Sequence, residues 1–438
     1  MLVALSDIHL QDVTLNGIPD DINVPPQAFE LFFQHVASSA RQNRAREIIF
    51  LLNGDIFDFL RTERWFTDAP AVRPYEVPIG PAVEAKLAEI WDGIQRSNQE
   101  TMGLLHSVAA GTDAFDFPVP PRFVYVAGNH DRLVNICPAL RRRVREFFHL
   151  NHTEAPLGWT FSAPEYGVFA RHGHEYDWTN CEYNFRGRGG PLDEERYRRT
   201  PIGDWVTLDI ATYLPHRFRE LFADHPLFAD VYPRVRAVDD VRPASRVVPW
   251  LMEEVGDARE AGRMVTEAFR TVCRERKDDP FVWRWLRTHA RPMRIDRVSL
   301  WVLGLKVLLP PALMLPRQLL RLFSRFMSRT GTSPAWRLAA REPLLHQGSP
   351  FQYVVSGHFH NPQTVLMRKE GDRPYVYFCT GSWRNRFETC RQDGRFIKLH
   401  AMNYVTFFRS DEDPDHLGRP KSTSFSLWDG MAMKCLGA

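Results

Sequence analysis

The chain has 438 residues, of which 44% are hydrophobic and 25% are charged. This composition is typical of folded globular proteins and excludes a collagen-like or largely disordered chain. The net charge of +3 is too small for general attraction to nucleic acid, so no specific nucleic-acid partner is predicted. Six cysteines lie far apart without a CxxC pair, which indicates neither a disulfide framework nor a thiolate zinc site.

Strand-like and helix-like segments alternate in the first part of the chain. Apolar, β-branched runs at residues 2–5, 48–52 and 123–126 predict buried strands. Helical periodicity between them predicts helices over residues 27–41 and 82–109. This alternation is typical of a layered α/β sheet. The first strand begins without a basic region or cleavage site, so no secretory signal is expected and the predicted location is cytoplasmic.

Residues 178–349 break the alternation and predict a mainly helical insertion or cap. Its most hydrophobic window, residues 298–315, is divided by a lysine and a proline pair into pieces too short to cross a bilayer. Four arginines then recur every four residues. Two interpretations stay open for residues 298–329: an interfacial helix pair at the inner face of the membrane, or apolar packing within a helical cap.

After residue 350 the pattern predicts strands separated by short turns, which is typical of a meander and a partly antiparallel sheet. We therefore expect one domain to be formed by residues 1–177 and 350–438, interrupted by the helical segment. The predicted strands are residues 353–355, 364–367, 374–379, 396–408 and 422–427.

Five polar clusters adjoin the predicted strands. Open α/β sheets bind ligands at the carboxyl ends of their strands, so these clusters are candidates for one shared site. Carboxylate, imidazole and amide groups without a thiolate suit manganese, iron, zinc, nickel or cobalt ions. The clusters are Asp7 and His9; Gly54, Asp55 and Asp58; Gly128, Asn129, His130 and Asp131; His172, Gly173 and His174; and Gly357, His358 and His360.

These clusters resemble the five-block signature of the calcineurin-like metallophosphoesterases, DxH, GDxxD, GNH(D/E), HG(H/D) and GHxH, and every block matches in order. The resemblance covers about residues 1–177 and 350–390. It implies a four-layer αββα sandwich with mixed sheets, here with a large, mainly helical insertion. It also implies a hydrolase of phosphate esters or phosphoanhydrides that uses two divalent metal ions, with manganese preferred and iron, zinc, nickel or cobalt as alternatives.

The resemblance further implies a role for each matching residue. One ion would be held by Asp7, His9, Asp55 and His360. The other would be held by Asp55, Asn129, His172 and His358, with Asp55 bridging the two. A hydroxide between the ions would attack phosphorus, and His130 would act as the general acid that protonates the leaving oxygen.

Residues beside these blocks have more than one interpretation. Asp58 and Asp131 are expected to orient ligands or to cap a following helix, with direct metal binding as the less favoured alternative. Asn180, Arg186 and Arg188 follow a ligand block in a glycine-rich stretch, so they are candidates for contact with substrate phosphate. The alternative for these three residues is an ordinary exposed loop.

The substrate class has alternatives as well. Residues 6–10 and 53–58 are most similar to the branch that includes UDP-2,3-diacylglucosamine pyrophosphatases, which act on a lipid-linked diphosphate at the membrane surface. Members of that branch commonly carry arginine where this chain has His130. One alternative is therefore a peripheral membrane pyrophosphatase or phosphodiesterase that uses residues 298–329. Another is a non-catalytic scaffold that binds a partner through the insertion; the oligomeric state is not predicted.

Overall fold

Strands and helices alternate along the first half of the chain, and strands dominate its last part. This computed structural model describes residues 1–13, 24–151, 153–182, 194–241, 247–254, 259–289, 334–389, 396–412 and 423–433. The strands are β1 (Leu2–Leu5), β2 (Leu10–Gln11), β3 (Ile48–Asn53), β4 (Phe57–Asp58), β5 (Pro121–Val126), β6 (Thr160–Ala163), β7 (Val168–Arg171), β8 (Tyr353–Ser356), β9 (Gln363–Glu370), β10 (Arg373–Cys379), β11 (Asn385–Thr389), β12 (Phe396–Phe408) and β13 (Ser424–Met433). The mixed α and β class predicted from the sequence is confirmed.

The α-helices lie mainly between the strands of the first half and in the middle of the chain. They are α1 (Pro26–Gln42), α2 (Pro81–Ser97), α3 (Gln99–Ala110), α4 (Arg132–Ile136), α5 (Pro138–Phe147), α6 (Glu194–Arg198), α7 (Ile202–Trp205), α8 (Tyr213–Phe222), α9 (Phe228–Arg236), α10 (Val247–Glu254), α11 (Arg259–Arg276), α12 (Pro280–His289) and α13 (Ala335–Ala339). A π-helical segment, Val206–Thr212, joins α7 to α8, and a short 3₁₀ turn, Ala237–Asp240, follows α9.

Two larger sheets organise the strands. In the first, β12, β1, β3 and β5 lie side by side, and β1, β3 and β5 are parallel. The long strand β12 pairs with β11 and β1 along one edge and with β13 along the other. The second has the order β6-β7-β8-β10-β9, in which β7, β8 and β10 are parallel. A small sheet pairs β2 with β4 just beyond the ends of β1 and β3.

The two sheets pack face to face. Successive residues of a strand point to opposite faces of its sheet. In β1, Leu2 and Ala4 therefore join a buried cluster shared with Phe378 of the second sheet, whereas Val3 and Leu5 join the cluster formed with the helices. This arrangement buries β1 on both faces and fixes the chain immediately before the first polar cluster.

Helix α1 covers the outer face of the first sheet. Its buried residues Phe29, Phe32, Phe33 and Val36 recur at the spacing of one helical face, and Pro26 begins the helix at a position that suits proline. The rings of Phe32 and Phe33 lie 5.7 and 5.5 Å from the ring of Phe50 on β3. Periodicity alone was therefore sufficient to predict this helix.

Two expectations about secondary structure differ from the structure. The single helix expected over residues 82–109 is divided at Asn98, whose side-chain amide donates to the carbonyls of Ile94 (2.8 Å) and Gln11 (3.0 Å). Asparagine side chains compete in this way with helical hydrogen bonds. The strands after residue 350 do not form one meander, because β8–β10 belong to the second sheet and β11–β13 to the first.

The described residues between 194 and 289 are mainly helical, and many of them pack around their own apolar cluster, which includes Phe218, Val235 and Trp250. That cluster contacts the first sheet through Phe387 of β11. Within the described parts of the chain, no helix has the length and apolar character required to cross a bilayer. The predictions made for residues 298–329, Arg186 and Arg188 lie outside the described residues.

Candidate metal centre

Two polar clusters of the first sheet follow the parallel strands β1 and β3. Their loops are joined by backbone hydrogen bonds, in which Asp7 donates to the carbonyl of Gly54 (3.0 Å) and His9 donates to the carbonyl of Asp55 (2.9 Å). The two loops therefore run side by side beyond the sheet. This pairing brings the side chains of Asp7, His9 and Asp55 to one edge.

Three histidines that follow strands of the second sheet lie at the same edge. His172 follows β7, and His358 and His360 follow the neighbouring parallel strand β8. The N–H of Gly357 donates to the carbonyl of His172 (2.7 Å), and the N–H of His358 donates to the carboxylate of Asp7 (2.9 Å). The facing sheets thus place the ends of their parallel strands around a common centre.

All seven predicted ligands lie together at this centre. Three groups of three described residues offer ligand atoms that all lie within 4.8 Å of one another, and the third of them is His9, Asp58 and His130. The two groups made up of predicted ligands alone are Asp7, His9 and His360, and Asp55, His172 and His358. Asn129 adjoins the second group, because its Oδ1 lies 3.0 Å from Nδ1 of His358. The two groups agree with the two sets that the family resemblance implies.

Short distances join the two groups into one cluster. Nε2 of His172 lies 3.0 Å from Oδ2 of Asp55 and 3.9 Å from Oδ1 of Asp7. Nε2 of His9 lies 3.0 Å from Nε2 of His360 and 3.9 Å from Oδ2 of Asp55. Asp55 therefore lies between the groups, as expected for a residue shared by two ions.

Five of the seven predicted ligands have a left-handed backbone. The φ angles are 53° at Asp7, 52° at His9, 55° at Asp55, 67° at His358 and 55° at His360. Such angles are uncommon outside glycine and cost about 1–3 kcal/mol each, so they persist only where the surrounding structure imposes them. Their concentration in this cluster is typical of a functional site.

Two glycines allow the loops to approach each other closely. Gly54 has a φ of 91°, and a Cβ at this position would collide with the ring of His172. A Cβ at Gly128 would collide with the carboxylate of Asp55. Glycine at position 54 therefore lets the loops of the two sheets meet, and glycine at position 128 lets the loops after β3 and β5 meet.

The ring of His172 provides a test of whether a metal ion suits these residues. Its Nδ1 lies 2.8 Å from the backbone carbonyl of Asn53, which can only accept a hydrogen bond, so we assign a proton to Nδ1. Nε2 is buried and lies 3.0 Å from Oδ2 of Asp55 without the alignment of a hydrogen bond, so it is the ring atom available to a proton or to another cation. A buried nitrogen lone pair beside carboxylates is a donor set that fits a divalent cation.

The electrostatics of the cluster lead to the same interpretation. Burial lowers the pKa of His172, but the charges of Asp55 and Asp7 outweigh it and raise that pKa to about 10. Burial raises the pKa values of Asp7 and Asp55, yet the facing histidines, His172 first, hold both well below their usual range. Without an ion, two carboxylates are ionised here at neutral pH and a proton on His172 partly balances them, so a divalent cation could replace that proton.

His130 lies beside the cluster and is oriented by Asp58. Nδ1 of His130 lies 3.1 Å from Oδ1 of Asp58, and Nδ1 of His9 lies 3.1 Å from Oδ2 of the same carboxylate. The N–H of His130 donates to Oδ1 of Asp55 (2.9 Å). Burial lowers the pKa of His130, but Asp58 and Asp55 outweigh it and raise that pKa above the usual value. Of the two interpretations of Asp58, the orienting one agrees with its contacts.

Asp131 supports the loops rather than a helix. Its carboxylate accepts hydrogen bonds from the N–H groups of Asp55 (2.6 Å) and Gly128 (3.0 Å) and from the hydroxyl of Tyr125 (2.8 Å). Helix α4 begins directly after Asp131, but the side chain makes no capping hydrogen bond to it. The orienting interpretation again agrees with the structure, and the capping interpretation is wrong.

Asn180 lies close to the cluster, at the edge of a small pocket of about 220 Å³ that Asn129 also lines. Its side-chain amide donates to Asp177 (2.8 Å). The pocket is also lined by Arg132, Trp159, His174, Cys181, Glu182, Arg196, Tyr197, Arg199 and Pro201. Of the three residues predicted to contact substrate, Asn180 is the one within the described residues, and it borders this pocket.

Asp177 and Arg61 are among the residues that contact predicted ligands and that sequence reasoning missed. Oδ2 of Asp177 lies 3.3 Å from Nε2 of His358. Burial raises the pKa of Asp177, but the hydrogen bond and charge of His358, together with the hydrogen bonds from Thr179, outweigh it and lower that pKa to about 2. Nη1 of Arg61 binds Asp58 and lies 3.1 Å from Nδ1 of His9. Their positions, five residues after His172 and three after Asp58, were the available signals.

Comparison with known proteins leaves the site to be interpreted from its own chemistry. No protein-family model and no curated protein matches the chain.

Proposed function

We propose that this chain is a calcineurin-like metallophosphoesterase, which hydrolyses a phosphate ester or phosphoanhydride at a centre of two divalent metal ions. The observation that carries the proposal is the meeting of two ligand groups in one buried cluster beside His130. The two facing sheets, with helices on the outer face of the first, support the αββα sandwich that this class implies.

The chain offers a complete donor set for two ions. Asp7, His9, Asp55 and His360 would hold one of them. Asp55, Asn129, His172 and His358 would hold the other. When bound, two such ions polarise phosphoryl oxygens and lower the pKa of water. With two carboxylates among the ligands, the loaded site keeps a positive charge, which favours an anionic phosphate substrate.

His130 supplies the proton that the leaving oxygen requires. Because Nδ1 engages Asp58, Nε2 is the ring atom that can donate to substrate. Asp58 and Asp55 raise the pKa of His130 against the effect of burial and so favour the protonated ring, which suits a general acid. Asp58 fixes the ring by holding Nδ1, and Asp55 fixes its backbone by accepting the N–H.

Hydrolysis of bis(p-nitrophenyl) phosphate and p-nitrophenyl phosphate with added Mn²⁺ tests the proposal. We expect activity in the wild-type chain and its loss in Asn129→Ala and His130→Ala. The matched control is Asn43→Ala, because Asn43 closes α1 and its amide donates to the carbonyl of Ser39 (2.9 Å).

Activity that is indifferent to Asn129→Ala and His130→Ala would contradict the proposal, as would a folded wild-type chain that binds no Mn²⁺. The relative rates on the diester and the monoester would begin to define the substrate class.

A further inference from the structure

Two acidic residues of the helical region, Asp239 and Asp240, contact arginine side chains beside the candidate metal centre. Both residues lie in the 3₁₀ turn Ala237–Asp240. The next residue, Val241, forms a parallel β-bridge with Phe387 of β11. The turn is therefore held against β11 of the first sheet by a backbone contact.

Asp239 binds the guanidinium group of Arg61. Nε of Arg61 contacts Oδ2 of Asp239, and Nη2 lies 3.3 Å from Oδ1. Of these two contacts, Nη2 to Oδ1 has the geometry of a hydrogen bond, and Nε to Oδ2 adds an ion-pair contact between the same two groups. The Arg61 side chain is 8% exposed and that of Asp239 is 23% exposed, so the ion pair is largely shielded from water.

The other side of Arg61 faces the residues that carry the proposed chemistry. Its Nη1 binds Oδ2 of Asp58 and lies 3.1 Å from Nδ1 of His9. Asp58 in turn holds the Nδ1 atoms of His9 and His130 at 3.1 Å each. A continuous series of contacts therefore runs from Asp239 through Arg61 and Asp58 to a predicted ligand and to the predicted acid.

Asp240 makes a parallel connection. It accepts a hydrogen bond from Nη2 of Arg384 (3.0 Å), which directly precedes β11. Two residues later, Nη1 of Arg386 donates to the backbone carbonyl of His360 (2.8 Å). The same turn of the helical region thus contacts both arginine-bearing segments that border the metal centre.

We propose that Asp239 is a positioning residue, which fixes the orientation of His9 and His130 through Arg61 and Asp58. This inference rests on the proposed function, because His9 and His130 have their stated roles only there. It assigns the helical region a part in the reaction, since its docked position completes the support of the two rings.

The physical reason is that the positive charge of a buried guanidinium group must be balanced by nearby negative charge. With Asp239 present, Arg61 is shared between two carboxylates, and Asp58 can still accept from both histidines. Without the charge of Asp239, Asp58 would be the remaining carboxylate in direct contact with Arg61 among the described residues, and Arg61 would compete with the imidazoles for the oxygens of Asp58. Both rings would then lose a fixed orientation.

Calorimetric titration with Mn²⁺ alone and steady-state kinetics on bis(p-nitrophenyl) phosphate test the proposal in Asp239→Asn. Loss of a residue that orients metal ligands lowers metal affinity or activity by about 10- to 100-fold. We expect losses of this size in the Mn²⁺ affinity of the site that contains His9 and in kcat, with KM changed much less. Asp239→Glu, which keeps the charge, should restore part of both.

Arg61→Lys gives a second test should Asp239→Asn fail to fold, because it keeps the buried charge and removes the planar fork; we expect the same two losses. The matched control is Glu275→Gln, which removes an acid that pairs with Arg217 (2.7 Å) inside the helical region. It should leave both quantities unchanged.

Normal Mn²⁺ affinity and kcat in folded Asp239→Asn or Arg61→Lys would overturn the positioning role while leaving the proposed function intact. An equal loss in Glu275→Gln, or no restoration by Asp239→Glu, would also overturn it. A wild-type chain without Mn²⁺ binding and hydrolysis would overturn the proposed function itself, and the positioning role with it.

Discussion

Nε2 of His172 lies 3.0 Å from Oδ2 of Asp55, with the first side chain fully buried and the second 2% exposed. Both atoms carry electron pairs when the imidazole is neutral, so the contact requires a proton or another cation. The carboxylates of Asp55 and Asp7 raise the pKa of His172 against the effect of burial, to about 10, which makes the proton the occupant in the absence of a metal ion.

Binding of Mn²⁺ should therefore release about one proton from His172 at neutral pH. Since the pKa of about 10 lies above neutrality, Mn²⁺ affinity should rise as the pH increases toward that value. Calorimetric titrations in buffers of different ionisation enthalpy measure the released proton directly. His172→Asn should abolish the release. Equal heats in all buffers for the wild-type chain would show that Mn²⁺ binding releases no proton and would contradict the prediction.

Removal of metal should lower the stability of the folded chain. An ion that binds the folded state alone stabilises it by about 2.7 kcal/mol at 100 times its dissociation constant. The chelated chain should also lose stability as the pH rises from neutrality toward 10, because the stabilising proton on His172 is lost. Thermal unfolding with Mn²⁺ and with chelator at several pH values measures both effects. A melting temperature that is the same with Mn²⁺ and with chelator at every pH would contradict this prediction.

Replacement of His130 should affect turnover more than metal binding. A positioned general acid contributes about 10²–10⁴-fold to the rate, so His130→Gln should lower kcat by that factor. Because the pKa of His130 is raised, activity in the wild-type chain should fall only as the pH increases above the usual histidine value, and His130→Gln should lose this alkaline decline. His106→Gln on α3 is the matched control, since His106 contacts the carbonyl of Phe147 (2.9 Å). An unchanged pH profile in His130→Gln would remove His130 from this role.

Gly54→Ala should damage both the fold and the metal centre. A left-handed backbone costs an L-residue about 1–2 kcal/mol, and the new Cβ would also collide with the ring of His172. Gly111→Ala is the matched control, because Gly111 has a φ of 67° with open space around its Cα. Urea unfolding should show a larger loss in Gly54→Ala than in Gly111→Ala, and only the former should bind Mn²⁺ more weakly. Equal losses would mean that the ring of His172 can move aside.

Local patterns in the sequence predicted much of the fold and the site. Helix α1 was predictable because its apolar residues repeat on one face, and a shared location of the polar clusters was predictable because most of them follow strands. The division of the ligands into two groups came from the family resemblance. Strand β6 was missed because Thr160–Ala163 is short and half-exposed, so it lacks a clear apolar pattern. The break at Asn98 depends on a hydrogen bond to Gln11, which is distant in sequence.

The support of the site was less predictable than the site itself. Arg61 and Asp239 are 178 positions apart, and nothing in the residues around Asp239 indicates a contact with a ligand loop. The contact exists only because β11 and the helical region pack together, as the Val241–Phe387 bridge shows. Motif spacing identifies groups that share one chemical centre, whereas groups that hold them in place depend on the tertiary arrangement.

The left-handed backbone of Asp7, His9, Asp55, His358 and His360 has a consequence for ion selectivity. These conformations are enforced by the surrounding loops, for example where the N–H of Trp383 donates to the carbonyl of Asp7 (3.0 Å). In the proposed metal centre, five of the ligands would therefore hold the ions from backbone conformations that the fold imposes. Competing cations would be selected by how well their radius and preferred coordination number suit that arrangement.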